Sequence, residues 1–362
     1  MTVPQFHRLT VREVRPETAD AVSVVFEVPE SLREAYRFRA GQFLTLRETV
    51  GGEELRRSYS ICVGEPAYRD RGELRVAIKR VQEGRFSNWA NDTLQPGQTL
   101  DVMTPDGRFV TQGNAVSRGR HVLGIAGGSG ITPVLSLIET VLATEPLSHF
   151  TLIYGSRGVA SILFLEALEA LKNTHLTRLR LIHVLSDEDQ EVEVLSGLLD
   201  TERIRALLAT LAGAGAIDEA FVCGPAPMMD AAEAALLDHG LPRERLRIER
   251  FGTAAPVAVK PVPVNPDAPQ AQVVMILDGK SRNLRVPFDG PALLDAGLAV
   301  GAALPYACKS GVCCTCRARV LEGEVRMDRN DSLDAAEVAA GFVLTCQAHP
   351  VSARVVVSYD ER

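Results

Sequence analysis

The hydrophobic and polar positions along this chain change their period twice. From residue 8 to about 110, short apolar runs alternate with polar positions and are cut by turn residues. These runs are Leu9–Val14, Ala21–Val28, a stretch leaving Gly41, Arg57–Val63, Leu74–Val81 and Thr99–Met103. Alternation with period 2 marks half-buried strands, and six such runs without a long helix predict an antiparallel β-barrel over residues 1–112. Beyond about residue 117 the runs lengthen and the period switches. Strands His121–Ala126, Phe150–Tyr154, Leu179–Leu185, Ala220–Cys223 and Leu246–Phe251 alternate with helices ending near Thr144 and spanning Ser161–Leu171, Thr201–Leu211 and Ala226–His239. That alternation predicts an α/β doubly wound parallel sheet over 113–251.

Five prolines, at 256, 261, 263, 266 and 269, then predict an extended, semi-stiff linker over 252–271. The final stretch, 272–362, mixes short elements. A hairpin turns at Asp278-Gly279-Lys280, helices cover Pro291–Ala299 and part of Asp331–Ala340, and strands fall at Ala318–Leu321, Val343–Thr345 and Arg354–Ser358. This is the pattern of a small α+β domain, so the chain as a whole is multidomain.

Composition narrows the setting. A net charge of −7 argues against nucleic acid or an anionic membrane as partner. No run approaches the ~20 apolar residues of a membrane span, and the start of the chain lacks the charged and apolar regions of a secretion signal. Seven cysteines, four of them in a ligand pattern, do not make a disulfide framework, and a reducing cytoplasm is the expected compartment. From residue 272 on there are 11 acidic and 10 basic residues, so simple charge steering is a weak guide to how this last domain docks.

The strongest chemical signal lies at Cys308-Lys309-Ser310-Gly311-Val312-Cys313-Cys314-Thr315-Cys316, followed far downstream by Cys346. The spacing C-x4-C-x2-C with a distant fourth cysteine is the plant-type [2Fe–2S] ligand pattern. Zinc is the alternative, but zinc sites are usually built from two separated pairs, whereas three ligands here share one loop. Only Cys308, Cys313, Cys316 and Cys346 satisfy the register, which leaves Cys314 a bystander. A cluster held by four thiolates moves single electrons, so the rest of the chain reads as whatever feeds it.

Three other stretches suit nucleotides. On the strand Arg57-Ser58-Tyr59-Ser60, Arg57 and Tyr59 share a face; the ring can stack on an aromatic cofactor and the guanidinium can pair with phosphate. The turn Gly84-Arg85-Phe86-Ser87 opens a short helix whose N-terminus can receive phosphate. In the second domain, the loop Gly127-Gly128-Ser129-Gly130-Ile131-Thr132-Pro133 follows the first strand, where a dinucleotide diphosphate lies. Its pattern departs from the usual G-x-G-x-x-G. Each of the two barrel stretches also reads as an ordinary strand or turn. Arg157 closes the second strand where an acidic residue would favour NAD; arginine there suits the 2′-phosphate of NADP, a charge-assisted bond of about 1.5–3 kcal/mol. Cys223-Gly224-Pro225, ahead of Met228, ends the fourth strand and could line a nicotinamide pocket, or Cys223 could be a buried structural thiol.

With these motifs together, the chain resembles ferredoxin–NADP reductase-type flavoproteins fused to a C-terminal plant-type ferredoxin. Within that group it resembles reductase components of multicomponent di-iron monooxygenases of the phenylacetyl-CoA epoxidase type. The resemblance runs the whole length, through Phe6-His-Arg-Leu-Thr-Val, Glu53-Glu-Leu-Arg-Arg-Ser-Tyr-Ser-Ile-Cys, Phe150-Thr-Leu-Ile-Tyr-Gly-Ser-Arg, Asp218-Glu-Ala-Phe-Val-Cys-Gly-Pro and Leu304-Pro-Tyr-Ala-Cys-Lys-Ser-Gly-Val-Cys. It implies FAD held by Arg57, Tyr59 and Ser60, with Gly84, Phe86 and Ser87 at its diphosphate. The glycine loop's position between strand and helix puts Gly128, Gly130 and Thr132 at the dinucleotide, and the resemblance implies Cys223, Gly224 and Pro225 by the nicotinamide and Phe251 near the flavin, beside the hydride-transfer centre. NADPH is then the donor, FAD and the [2Fe–2S] cluster the carriers, and oxygenase subunits the acceptor. An aromatic-ring dioxygenase as partner, or a redox sensor without turnover, remain alternatives. The seven scattered histidines form no Glu-x-x-His motif, so the oxygenase site is not encoded in this chain.

Overall fold

The structure is a computed structural model and describes residues 5–111, 118–211, 216–251 and 269–361. The chain divides into a unit spanning Phe6–Arg250 and a C-terminal unit that begins at Phe251.

The first unit opens with six strands: β1 (Phe6–Thr18), β2 (Ala21–Glu27), β3 (Phe43–Val50), β4 (Glu53–Ser60), β5 (Leu74–Lys79) and β6 (Thr99–Met103). They pair antiparallel in the order β4-β3-β6-β1-β2-β5. A bridge from Ile61, just past β4, to Val76 of β5 brings the two edges together, as the expected barrel requires. Alternate residues point inward, so Leu9, Val11, Val24, Phe26, Leu44, Leu46, Val76 and Ile78 fill the interior. Two short helices, α1 (Glu65–Arg71) and α2 (Arg85–Thr93), sit in the connections. The first was not expected; Pro66 starts it and Gly72, at φ 65°, ends it.

The same unit continues with parallel strands β7 (His121–Gly127), β8 (His149–Ser156), β9 (Leu179–Leu185), β10 (Glu219–Cys223) and β11 (Leu246–Glu249). Their order is β11-β10-β7-β8-β9, so the winding reverses between β7 and β10. Helices α3 (Ile131–Thr144), α4 (Leu165–Thr174), α5 (Thr201–Thr210) and α6 (Ala226–Asp238) make the crossovers. The helix expected over Ser161–Leu171 starts later, at Leu165, because Phe164 takes a left-handed φ of 60° that no helix continues through.

In α3, eleven residues of its fourteen are buried, which explains a sequence apolar on nearly every side. One flank packs on the parallel sheet and the other on the barrel. There, Ser136 donates to the Val63 carbonyl (2.7 Å), Glu139 accepts from the Gly64 N–H (2.6 Å) and Thr140 accepts from the Glu65 N–H (3.0 Å). Barrel and nucleotide sheet are thus joined through the chain that leaves β4.

The C-terminal unit holds β12 (Gln270–Leu277), β13 (Lys280–Pro287), α7 (Leu293–Ala299), β14 (Arg317–Glu322), β15 (Val325–Met327), α8 (Ala335–Ala339), β16 (Phe342–Leu344), β17 (Ala348–Pro350) and β18 (Arg354–Ser358). A mixed sheet runs β13-β12-β18-β14-β16, and β15 pairs with β17. The β12–β13 turn is the expected Asp278-Gly279, both at positive φ (51° and 69°), the geometry that suits the twist of a two-residue hairpin. Most of the interval expected as a linker, 252–268, lies outside the described residues, and β12 already begins at Gln270.

Candidate active site and cysteine loop

Strand β4 carries the stretch nominated for the flavin. Arg57 and Tyr59 alternate with Ser58 and Ser60, and Arg57 and Tyr59 are half-buried. The Tyr59 ring leans on Phe86 (centroids 5.9 Å apart), which in turn meets Trp89 edge-on (5.5 Å). Phe86 is fully buried, so it backs the tyrosine. Ser87 is also occupied locally: its hydroxyl accepts from the Val81 N–H (3.1 Å) and donates to the Gly84 carbonyl (3.3 Å), fixing the turn that opens α2. Gly84 is required there, because a Cβ would lie 2.5 Å from Ser87 Oγ.

The glycine loop leaves β7 at the reversal point of the sheet, where ligands of open α/β folds bind. Gly128 has a φ of 52° and open space where a side chain would be, so its backbone can be approached closely. Gly130 packs the other way: a Cβ would fall 2.0 Å from the Cys223 carbonyl oxygen. Thr132 closes the turn by donating to the Ser129 carbonyl (2.9 Å). The loop is therefore seated directly on Cys223-Gly224, while Pro225 caps the start of α6. Tyr154, which no motif indicated, holds the loop from the β8 side. Its hydroxyl donates to the Gly128 carbonyl (2.9 Å) and accepts from the Leu163 N–H (3.2 Å).

A second residue absent from the sequence reading is Glu249, at the end of β11 beside Cys223 of β10. One oxygen of its carboxyl group accepts from the Ser60 hydroxyl at 3.1 Å, linking the end of β4 to the end of the nucleotide sheet. Burial pushes the carboxyl up to about 8, against the lowering effect of the Ser60 bond. Burial also pushes the Cys223 thiol up, with the Glu249 charge adding to it, so this cysteine is a neutral, fully buried thiol at the end of β10. Phe251, half-buried two residues past β11, begins the C-terminal unit, and its role rests on the sequence. Arg157, just past the end of β8, has its side chain 68% exposed and one guanidinium nitrogen 3.7 Å from Asp20.

In the C-terminal unit the cysteine loop turns through left-handed positions at Lys309 (φ 54°), Gly311 (79°) and Cys314 (58°). Among the described residues no three metal-ligating side chains gather round a single point. The four nominated thiols stand instead as two pairs, Cys308 with Cys313 and Cys316 with Cys346. Two irons divide four ligands in this way, so the donor set fits a binuclear cluster. The bond from Cys313 lowers Cys308, and that from Cys316 lowers Cys346; Cys313 and Cys316 are pushed up by the same bonds. Further donors face the sulfurs: the Ser310 N–H at 3.3 Å from Cys308 and the Gln347 amide at 3.6 Å from Cys346. The Cys314 thiol points to a different partner, the Ser332 carbonyl (3.4 Å). Behind the loop, Tyr359 donates to Thr345 (3.0 Å) and Thr345 to the Cys316 carbonyl (2.8 Å).

Comparison with known proteins agrees with this division. An oxidoreductase FAD-binding domain matches residues 8–111, an oxidoreductase NAD-binding domain 125–234, and a 2Fe-2S iron-sulfur cluster binding domain 275–351. The chain is 47% identical, over 99% of its length and 98% of the relative's, to the E component of the 1,2-phenylacetyl-CoA epoxidase of Escherichia coli K12. It is 37% identical to the ferredoxin reductase component of 3-ketosteroid-9-alpha-monooxygenase from Rhodococcus rhodochrous, over 97% and 96% of the two chains. Among solved structures, phthalate dioxygenase reductase shares the fold with a TM-score of 0.59 at 22% identity, over 98% of each chain. Among the described residues no helix is long and apolar enough to cross a membrane.

Proposed function

The chain belongs to the oxidoreductase family that joins FAD-binding, NAD-binding and 2Fe–2S domains in one electron-transfer reductase, and from that membership we propose that it takes electrons from NADPH and hands them to the oxygenase subunits of a multicomponent di-iron monooxygenase of the phenylacetyl-CoA epoxidase kind. The observation that carries the reading is the direct linkage of the two stretches nominated for the cofactors. The glycine loop is seated on Cys223-Gly224, and the Ser60–Glu249 bond ties that sheet end to the flavin strand. This supports a nicotinamide ring laid beside a flavin ring, with alignment as the residues' main task.

We assign Arg57, Tyr59 and Ser60 to the flavin, with Gly84, Phe86 and Ser87 shaping the turn at its diphosphate. Gly128, Gly130, Thr132, Gly224 and Pro225 shape the dinucleotide site, Arg157 takes the 2′-phosphate, and Cys223 and Phe251 flank the hydride path. Cys308, Cys313, Cys316 and Cys346 ligate the cluster. Bound FAD would accept an electron pair and release it singly, and the cluster would carry one electron at a time. Four thiols committed to a cluster suit a reducing cytoplasm, where we place the protein.

The test is anaerobic reduction of the purified chain by NADPH and by NADH, following flavin absorbance and the electron spin signal of a reduced cluster. Fast flavin bleaching followed by the cluster signal, with NADPH the better donor, is the expected result. A cluster that is never reduced overturns the electron path, and equal reduction by NADH overturns the donor assignment. Reconstitution with the oxygenase components of a phenylacetyl-CoA epoxidase decides the partner: no NADPH-dependent epoxide formation overturns that part.

A further inference from the structure

The residue nominated for the 2′-phosphate does not stand alone. Arg157, at the carboxyl end of β8, reaches across to the barrel, where its guanidinium lies 3.7 Å from the carboxylate of Asp20 in the β1–β2 turn. Lys79, at the end of β5, approaches the same carboxylate at 3.5 Å. Asp20 is itself held in place: its other oxygen accepts from the Thr18 hydroxyl (2.8 Å), and its backbone carbonyl accepts from the Arg80 N–H (2.7 Å). The acidic stretch after β9 also contacts this segment. The Asp187 N–H donates to the Arg157 carbonyl (2.8 Å), and Glu188 accepts from the Val159 N–H (3.1 Å).

We propose that Asp20 is a specificity-determining residue for the nucleotide donor: it acts as the resident counter-ion of Arg157, which a 2′-phosphate must displace. The proposal rests on the assignment of Arg157 to that phosphate.

The geometry favours displacement. At 3.7 Å the contact is longer than a charge-assisted hydrogen bond, and the arginine side chain is 68% exposed. A dianionic phosphate can therefore outcompete a single carboxylate for the guanidinium fork. The carboxylate still opposes it, because it occupies the arginine in the free protein and adds negative charge at the place the phosphate must enter. A donor without the 2′-phosphate has no need of the fork and does not contend with Asp20 for it. Asp20 thus tempers the discrimination that Arg157 confers, from a different domain of the same unit. Although burial works against the charged form of Asp20, the Thr18 bond and the Lys79 and Arg157 charges outweigh it, so a carboxylate stands opposite the arginine at neutral pH.

Four forms of the FAD- and cluster-loaded protein provide the test: wild type, Asp20→Asn, Arg157→Gln and the double variant. Calorimetry measures binding of 2′,5′-ADP against 5′-AMP, and steady-state kinetics gives kcat/KM for NADPH against NADH. In Asp20→Asn the preference for 2′,5′-ADP and for NADPH should rise about three- to fivefold, the scale of one exposed ion pair. That gain should vanish when Arg157→Gln is already present. No gain in Asp20→Asn, or a gain that persists without Arg157, overturns the counter-ion role. If Arg157→Gln leaves the 2′,5′-ADP preference unchanged, the assignment of Arg157 fails instead, and with it the premise. Asp20→Ser, which keeps a polar turn residue beside Thr18, repeats the measurement should the asparagine variant fold poorly.

Discussion

Replacing Gly130 with alanine tests whether the nucleotide loop is seated on the Cys-Gly-Pro segment as described. The added Cβ would lie 2.0 Å from the Cys223 carbonyl oxygen, 2.4 Å from its carbon and 2.8 Å from the Gly224 nitrogen. The closest contact is about 1.4 Å short of ordinary van der Waals separation, and all three atoms belong to backbone, so no side chain can swing aside. The ends of β7 and β10 must move apart. Overpacking of this kind costs about 1–3 kcal/mol, which for a domain of this size lowers Tm by roughly 2–10 °C. The functional loss should be larger, because a shift of about 1 Å in a reacting geometry can cost ~100-fold in rate. Stopped-flow flavin reduction by NADPH, with thermal unfolding alongside, measures both. Gly128→Ala is the contrast: nothing lies within 4 Å of its Cβ, so only the left-handed backbone at φ 52° opposes it, about 1–2 kcal/mol. A Gly130→Ala protein with hydride transfer within twofold of wild type and an unchanged Tm would refute the packing argument.

Three further outcomes follow from the same contacts. Glu249 has a folded-state value of about 8 against an ordinary 4.5, so between those pH values the native state holds a proton that the unfolded chain has released. Stability must therefore fall as pH rises from about 4.5 to about 8; Glu249→Gln should flatten that slope in Tm measured against pH, and parallel profiles would count against it. Cys308→Ser should lose bound iron and sulfide, while Cys314→Ser, whose thiol is bonded to Ser332, should keep both; elemental analysis and the visible spectrum decide. Glu139→Ala strands the Gly64 N–H and should cost about 1–3 kcal/mol in urea unfolding, whereas Glu139→Gln, still an acceptor for that N–H, should cost distinctly less.

Signals confined to a few consecutive residues were legible in the sequence, and signals made by distant partners were not. The cysteine spacing, the Asp278-Gly279 hairpin and the glycine loop are local, because each depends on backbone angles or ligand reach within one turn of chain. The start of α4 was misplaced by a local exception, a phenylalanine in a left-handed conformation, which side-chain type alone does not announce. Glu249 looks like any acid in a half-exposed strand. Its meaning comes from Ser60, 189 residues away, and from the neighbouring strand that carries Cys223. Glu139 is similar: an apparent polar interruption in an apolar helix that turns out to cap a backbone N–H 75 residues earlier. Arg157 was found by position, but the carboxylate that opposes it comes from the barrel and has no motif of its own.

These long-range pairs tie together the two stretches to which we assign the cofactors. Helix α3 begins at the glycine loop and is buried along nearly its whole length. From its middle onward it binds Val63, Gly64 and Glu65, in the chain that leaves β4. A rigid element therefore runs from the glycine loop to the residues that follow β4, and the Ser60–Glu249 bond closes the same circuit on the other side. Hydride transfer needs two rings held face to face within a few tenths of an ångström, a demand that hinged domains would not meet without such cross-links. Thr140 and Glu139 satisfy backbone N–H groups that would otherwise be stranded at the junction, so any relative slip of the two domains leaves buried donors unpaired. The energetic cost of that slip is what keeps the barrel and the nucleotide sheet in register.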